Sequence, residues 1–201
     1  MAVAHSRGLL DYDEKIATYW PEFAPEGKEK ITVKQLLSHQ AGLCMIEEAL
    51  DLDVLADPCR TAEIRARQKP AWRSGTSHGY YHFVLGLYQS REVPRLFTLA
   101  LLLGKPITAR TMTNPPLLHG APTNFNRRDT PAVEMPSANG IGRVGSVAKP
   151  YGAFPTGGAE LDLKQGKTLD VLSAPAAEPT SGSHDAVLLA DTSYSFGFRK
   201  P

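Results

Sequence analysis

The stretch ITVKQLLSHQAGL, residues 31–43, constrains this chain more than any other, because the start and the stop of a helix are both written into it. Thr32 is followed three residues later by Gln35, the T-x-x-Q spacing of a capping box. In that arrangement the cap hydroxyl takes an orphan N–H of the first turn, and the Gln side chain returns a bond to the cap's own N–H. Val33, Leu36 and Leu37 fall on one face, and Gly42 stands where a left-handed residue would close the helix. The spacing predicts a short, well-terminated helix with one apolar face to bury.

Other strings stand around this one in a fixed order: RGLLDYDEKI at 7–16, YWPEF at 19–23 and QKPAWRSGTSHGY at 68–80. Together they resemble the serine β-lactamase-like and penicillin-binding-protein-like hydrolases, which include class C β-lactamases, D-alanyl-D-alanine carboxypeptidases and related esterases. The upstream strings are similar to the helix end and turn that precede the motif helix of that family. The downstream string is similar to the W-x-P-G-T-x-x-x-Y segment that delivers its active-site tyrosine. The resemblance is continuous over residues 7–82, and resumes more weakly at 124–149, where EMPSANGIG resembles the PSANG segment of the esterase-like branch. There Ser137 and Asn139 are as readily helix caps as functional groups. The final SFGFRKP resembles an FGLGF strand.

For fold, the resemblance implies a chain that is mainly α with extensive coil: the helical part of the serine β-lactamase/transpeptidase-like α+β fold, with most of the antiparallel sheet missing. A short strand is expected at most at 186–189 or 193–198. One incomplete domain over 1–201 is implied, with 1–88 well matched, 89–123 a divergent connection and 124–201 a weaker match. Read from the residues themselves, 45–56 is an amphipathic helix with Leu50, Val54 and Leu55 on its apolar side. Residues 61–69 form another, capped by Thr61, with Ile64 inward and Pro70 closing it, and 82–87 a third. Residues 155–160 and 174–184 are rich in Gly, Pro, Ala and Ser, as loops are.

For function, the resemblance implies acyl transfer to water through a serine ester, on a small ester, amide or β-lactam. The family nucleophile is the Ser of an S-x-x-K motif, whose i, i+3 spacing puts the Lys amine on the same helix face as the hydroxyl. That motif lies upstream of the RGLLD turn, and here only MAVAHS precedes the turn. The motif's one occurrence, Ser146 to Lys149, follows the tyrosine segment instead, and Pro150 disfavours helical geometry at Lys149. It reads as a loop or helix start on the surface. Lys167 and Thr168 are followed by Leu169, so they form no K-T-G. Removing the nucleophile of a serine hydrolase costs on the order of 10⁶ in turnover, so a truncated chain lacking it is expected to be close to inert.

Counting four residues on from Thr76 places Tyr80 at the family's catalytic tyrosine, with Tyr81 the alternative, and Trp72, His78 and His82 beside it in the substrate groove. A phenol with an ordinary pKa is only about 0.1% ionised at neutral pH, so a tyrosine base needs cations nearby. The reading from another class is a non-catalytic scaffold or partner-binding protein, using apolar faces that the missing sheet would cover. Those faces also invite self-association.

Composition narrows the alternatives. Lys and Arg number 22 against 21 Asp and Glu, a net charge of +1 that gives no electrostatic footprint for nucleic acid. No signal-peptide core opens the chain, and the strongest apolar run, 96–103, is far too short to span a bilayer. As given, the chain reads as soluble and cytoplasmic. Cys44 and Cys59 form no metal pattern and read as free thiols. His78 and His82 are four apart, but Gly79 interrupts them and no third ligand is near, so neither a metal nor a cofactor is implied. His39 and His119 read as structural or solvated.

Overall fold

The computed structural model describes residues 2–80, 106–113, 144–152, 156, 167–196 and 198–200. In chain order the elements are α1 (Ala2–Ser6), α2 (Ile16–Tyr19), a 3-10 turn (Pro21–Phe23), α3 (Val33–Leu37), α4 (Leu52–Ala56), α5 (Pro58–Arg67), α6 (Pro106–Thr113), α7 (Val144–Gly152), α8 (Lys167–Ser173), β1 (Ser193–Tyr194) and β2 (Arg199–Lys200). Short helices and coil therefore dominate the described residues, and the one sheet among them is the antiparallel pair β1–β2.

Both halves of the α3 capping box form: Gln35 N–H donates to Thr32 Oγ1 at 3.3 Å, and Thr32 N–H to Gln35 Oε1 at 3.1 Å. The helix stops sooner than the pattern predicts. Ser38 is the C-cap, its hydroxyl bonded back to Lys34 O, and His39 takes the left-handed conformation at φ 62°. His39 N–H reaches Leu36 O at 3.2 Å and Gln40 N–H reaches Gln35 O at 2.8 Å, the paired bonds of a Schellman closure. Gly42, also left-handed at φ 76°, serves a different purpose, since a Cβ there would stand 2.5 Å from Trp72 O.

The predicted helix at 45–56 forms only from Leu52. Asp51 caps it by accepting from Val54 N–H, while the N–H of Glu47 is taken by the Gln68 side chain at 2.8 Å and so leaves any helical ladder. The next helix begins at Pro58, capped by Asp57 and not by Thr61, whose hydroxyl donates to Val54 O at 2.7 Å. Ile64 does face inward. Pro150 lies within α7, where its missing N–H forfeits a single bond to Ser146 O near the helix end. Residues 186–189 are a turn instead of a strand, and the segments 82–87 and 96–103 lie outside the described residues.

Tyr12, Ile16, Phe23, Ile31, Val33 and Ala41 form the core, with Leu36, Leu37, Val171 and Phe196 packed on it. Tyr12 is sandwiched between His5 at 4.3 Å and Phe196 at 5.3 Å between ring centroids. The two ends of the chain thus meet over one ring. Lys28 is fully buried beneath, its ammonium donating to Ala66 O at 2.6 Å and Gln68 O at 2.7 Å. Among the described residues no helix is long and apolar enough to cross a membrane.

Candidate active site

Three backbone segments lie side by side and carry the site between them. Gly79, Gly75 and Ala71 donate N–H bonds to the carbonyls of His39, Gln40 and Gly42. On the other side, Thr180, Ser181 and Ala186 donate to the carbonyls of Gly75, Thr76 and His78. The early closure of α3 at His39 is what brings residues 39–42 alongside this strip. Trp72 then folds over Gly79, where an added Cβ would come within 2.6 Å of the indole and 3.0 Å of Val187.

Tyr80, half-buried, emerges at the end of the strip. Its N–H donates to Asp185 Oδ2 at 2.9 Å, its ring tilts against His39 at 4.9 Å, and it lies nearly parallel to Tyr194, 15° and 6.4 Å apart. Burial raises the Tyr80 pKa, and the positive charge of Arg199 pulls against that rise. The phenol is therefore held above its ordinary range, the reverse of what a tyrosine base requires.

Asp185 organises the site and was not among the sequence-derived candidates. It is wholly buried, and Oδ1 accepts Val187 N–H and Leu188 N–H at 2.8 Å each, while Oδ2 accepts Tyr80 N–H and the Tyr194 hydroxyl at 2.7 Å. Its local half was legible as an Asp that folds the next residues into a turn. Its reach to Tyr80, 105 positions away, leaves no trace in spacing. Burial first, then the adjacent Asp185 carboxylate, pushes the Tyr194 phenol far up.

Of the sequence candidates, the structure brings Trp72, His78 and Tyr80 together, while Tyr81 and His82 lie outside the described residues. His78 is buried, and its Nε2 lies 3.0 Å from both Ser183 O and Thr192 Oγ1, with the ring edge-on to Tyr194. Ser146 stands exposed on α7. Beside the site opens a cleft of about 600 Å³ lined by Ser183, Asp191, Thr192, Ser193, Arg199 and Lys200.

The sequence profile of the family described as Beta-lactamase matches residues 1–199. The chain is 28% identical over 205 residues to the esterase/beta-lactamase LipL of Mycobacterium tuberculosis, covering 78% of this chain and 47% of that protein. It thus spans about half the length of this curated relative. Among solved structures, a family VIII carboxylesterase superposes with a TM-score of 0.73 at 28% identity, over 98% of this chain and 62% of that one. A penicillin-binding protein homolog from Caulobacter crescentus gives 0.71 at 26% identity, over 98% and 62%. EstA from Arthrobacter nitroguajacolicus gives 0.69 at 23% identity, over 100% and 64%, a likeness of fold.

Proposed function

The chain belongs to the beta-lactamase family, and on that premise we propose that it carries the tyrosine side of a serine hydrolase site whose substrates are small carboxylic esters first, and amides or β-lactams second. The reaction is acyl transfer from substrate to a serine hydroxyl and then to water, with Tyr80 assisting proton transfer. The supporting observation is the placement of Tyr80. The segment from Trp72 to Tyr80 is pinned on both sides by backbone bonds, and Asp185 fixes the tyrosine by its main-chain N–H while leaving the ring to face His39 and Tyr194. Similarity to an esterase/beta-lactamase and to a carboxylesterase favours esters.

Within these 201 residues no S-x-x-K precedes the RGLLD turn, and Ser146 is exposed on α7. On this reading little or no turnover is expected of the polypeptide alone. The second reading is a scaffold that retains the site's frame, the strip bonded on both sides and the Asp185 contacts, without its chemistry.

A serine-reactive fluorophosphonate and a chromogenic acetate ester, applied to the purified 201-residue chain, test this directly. The expected result is no labelled serine and no hydrolysis above buffer. Label on Ser146 with ester turnover would overturn it and move the nucleophile to α7. In any longer form bearing an upstream S-x-x-K, Tyr80→Phe is expected to lower kcat by about 10²–10⁴-fold, the usual contribution of a positioned proton-transfer group. An unchanged kcat there would remove Tyr80 from the mechanism.

A further inference from the structure

Two phenols share this site, and their surroundings divide their roles. The Tyr194 hydroxyl is committed to Asp185 Oδ2 at 2.7 Å, so losing its proton would set a phenolate against a carboxylate. Asp185 meets Tyr80 at the main-chain N–H instead. The difference is completed by β2. The antiparallel register sets Arg199 directly opposite Tyr194, and residues paired in this way project from the same face of the ribbon. Arg199 therefore stands on the face where Tyr194 stacks on Tyr80. Its guanidinium is exposed, and among the described residues it meets no carboxylate within ion-pair distance.

We infer that Arg199 supplies the positive charge that favours the Tyr80 phenolate, while Asp185 keeps Tyr194 protonated. Among the described residues, the titratable and charged groups around Tyr80 are His39 against its ring, Tyr194 stacked beyond, Asp185 on its N–H, and Arg199 across the β1–β2 pair, with His78 edge-on to Tyr194. Of these, Arg199 alone brings a guanidinium, whose positive charge is delocalised over a planar fork. A fixed positive charge favours phenolate over phenol, which opposes the effect of burial. Arg199 opposes the rise in the Tyr80 pKa, whereas at Tyr194 it is the weakest of the influences and Asp185 outweighs it. Arg199 is in these terms a positioning residue, acting through the field it sets at Tyr80.

The inference rests on reading Tyr80 as the proton-handling phenol, yet its test needs no turnover. Tetranitromethane nitrates tyrosine through the phenolate, so the initial rate at Tyr80 in the full chain, at fixed pH near neutrality, reports its ionised fraction. Peptide fragmentation assigns the site, and exposed Tyr151 serves as internal reference. Arg199→Gln is expected to slow nitration at Tyr80 by about threefold or more relative to Tyr151, the size of effect a charge several Å away exerts at protein-surface permittivity. Arg199→Lys is expected to restore most of the rate. Molar salt should slow the wild type toward the Gln variant and leave that variant unmoved, because screening acts only where the charge exists. Equal Tyr80 rates in wild type and Arg199→Gln, or the same salt response in both, overturn the inference. Loss of ester turnover on Tyr80→Phe, read in a longer form bearing an S-x-x-K, is a separate result, so failure of the functional reading and failure of this electrostatic one are told apart.

Discussion

Asp185 and Gly42 show how much of the site depends on single side chains. In Asp185→Asn the amide oxygen can keep the Val187 and Leu188 N–H bonds, but the amide nitrogen then faces two donors, Tyr80 N–H and the Tyr194 hydroxyl. Tyr194 can rotate its proton away; the backbone N–H of Tyr80 cannot. Leaving a buried donor opposed costs roughly 1–3 kcal/mol, which a urea midpoint measures, and a loss below about 0.5 kcal/mol would show that Asp185 is not the hub described. Gly42→Ala combines a left-handed φ of 76° with a Cβ 2.5 Å from Trp72 O, so backbone must move. A destabilisation of about 1–3 kcal/mol is expected for such a position, and an unchanged melting temperature would refute the close approach. The sequence marked Gly42 as left-handed but gave it the wrong task, because nothing local to 31–43 records that Trp72 passes over it. Asp185 was missed for the same reason at greater range. The resemblance of the segment from Trp72 to Tyr80 pointed to Tyr80, and the ring's neighbours, His39 and Tyr194, come from elsewhere in the chain.

At the level of elements, the caps that sequence could read were those closed within one turn. Thr32 and Gln35 are three apart and formed their box as predicted, so Thr32→Ala should cost about 1 kcal/mol, the usual worth of an N-cap. Thr61 looked like a cap and was not, since Asp57 and Pro58 start the helix one turn earlier and the Thr61 hydroxyl is drawn to Val54 O. The stop of α5 is more telling. Its last carbonyls are satisfied from outside by Lys28, 38 and 40 positions away, over the ring of Phe23 at 5.3 Å. Burial lowers the Lys28 pKa, against a weaker upward pull from Glu26. Lys28→Met keeps the stem's volume and removes both bonds, leaving the Ala66 and Gln68 carbonyls without that donor. The expected loss is roughly 1–3 kcal/mol, with hydrogen exchange at the end of α5 accelerating beyond the global change. Stability equal to wild type would mean that the cost of burying the charge already cancels the two bonds.

Among the described residues, the buried groups with raised pKa values place their pH dependence on the alkaline side. Tyr12, Tyr80 and Tyr194 are raised above 10.0 chiefly by burial, and Cys44, buried beside Thr111 of α6, is raised from 9.0 to about 11. For each of these the unfolded chain loses its proton first, so their contribution is complete below pH ~9 and falls as pH rises toward the folded values. Lys28 runs the other way: its folded pKa lies below 10.5, so stability is gained as pH climbs from that lowered value to 10.5. Among the described residues, these four groups stand against the lowered Lys28 and Arg65, of which Arg65 starts from 12.5, so the urea midpoint should decline steadily above pH ~9. Cys44 dominates the first part of that decline, because its ordinary value is the lowest of the four. The change from 9.0 to about 11 corresponds to about 3 kcal/mol of stability lost across that interval. Cys44→Ala should therefore begin less stable near neutrality, through the small cavity it leaves, yet fall by about 3 kcal/mol less between pH ~9 and ~11. An equally steep fall in the variant would show that the thiol does not titrate with folding, and would leave the buried phenols to account for the alkaline slope.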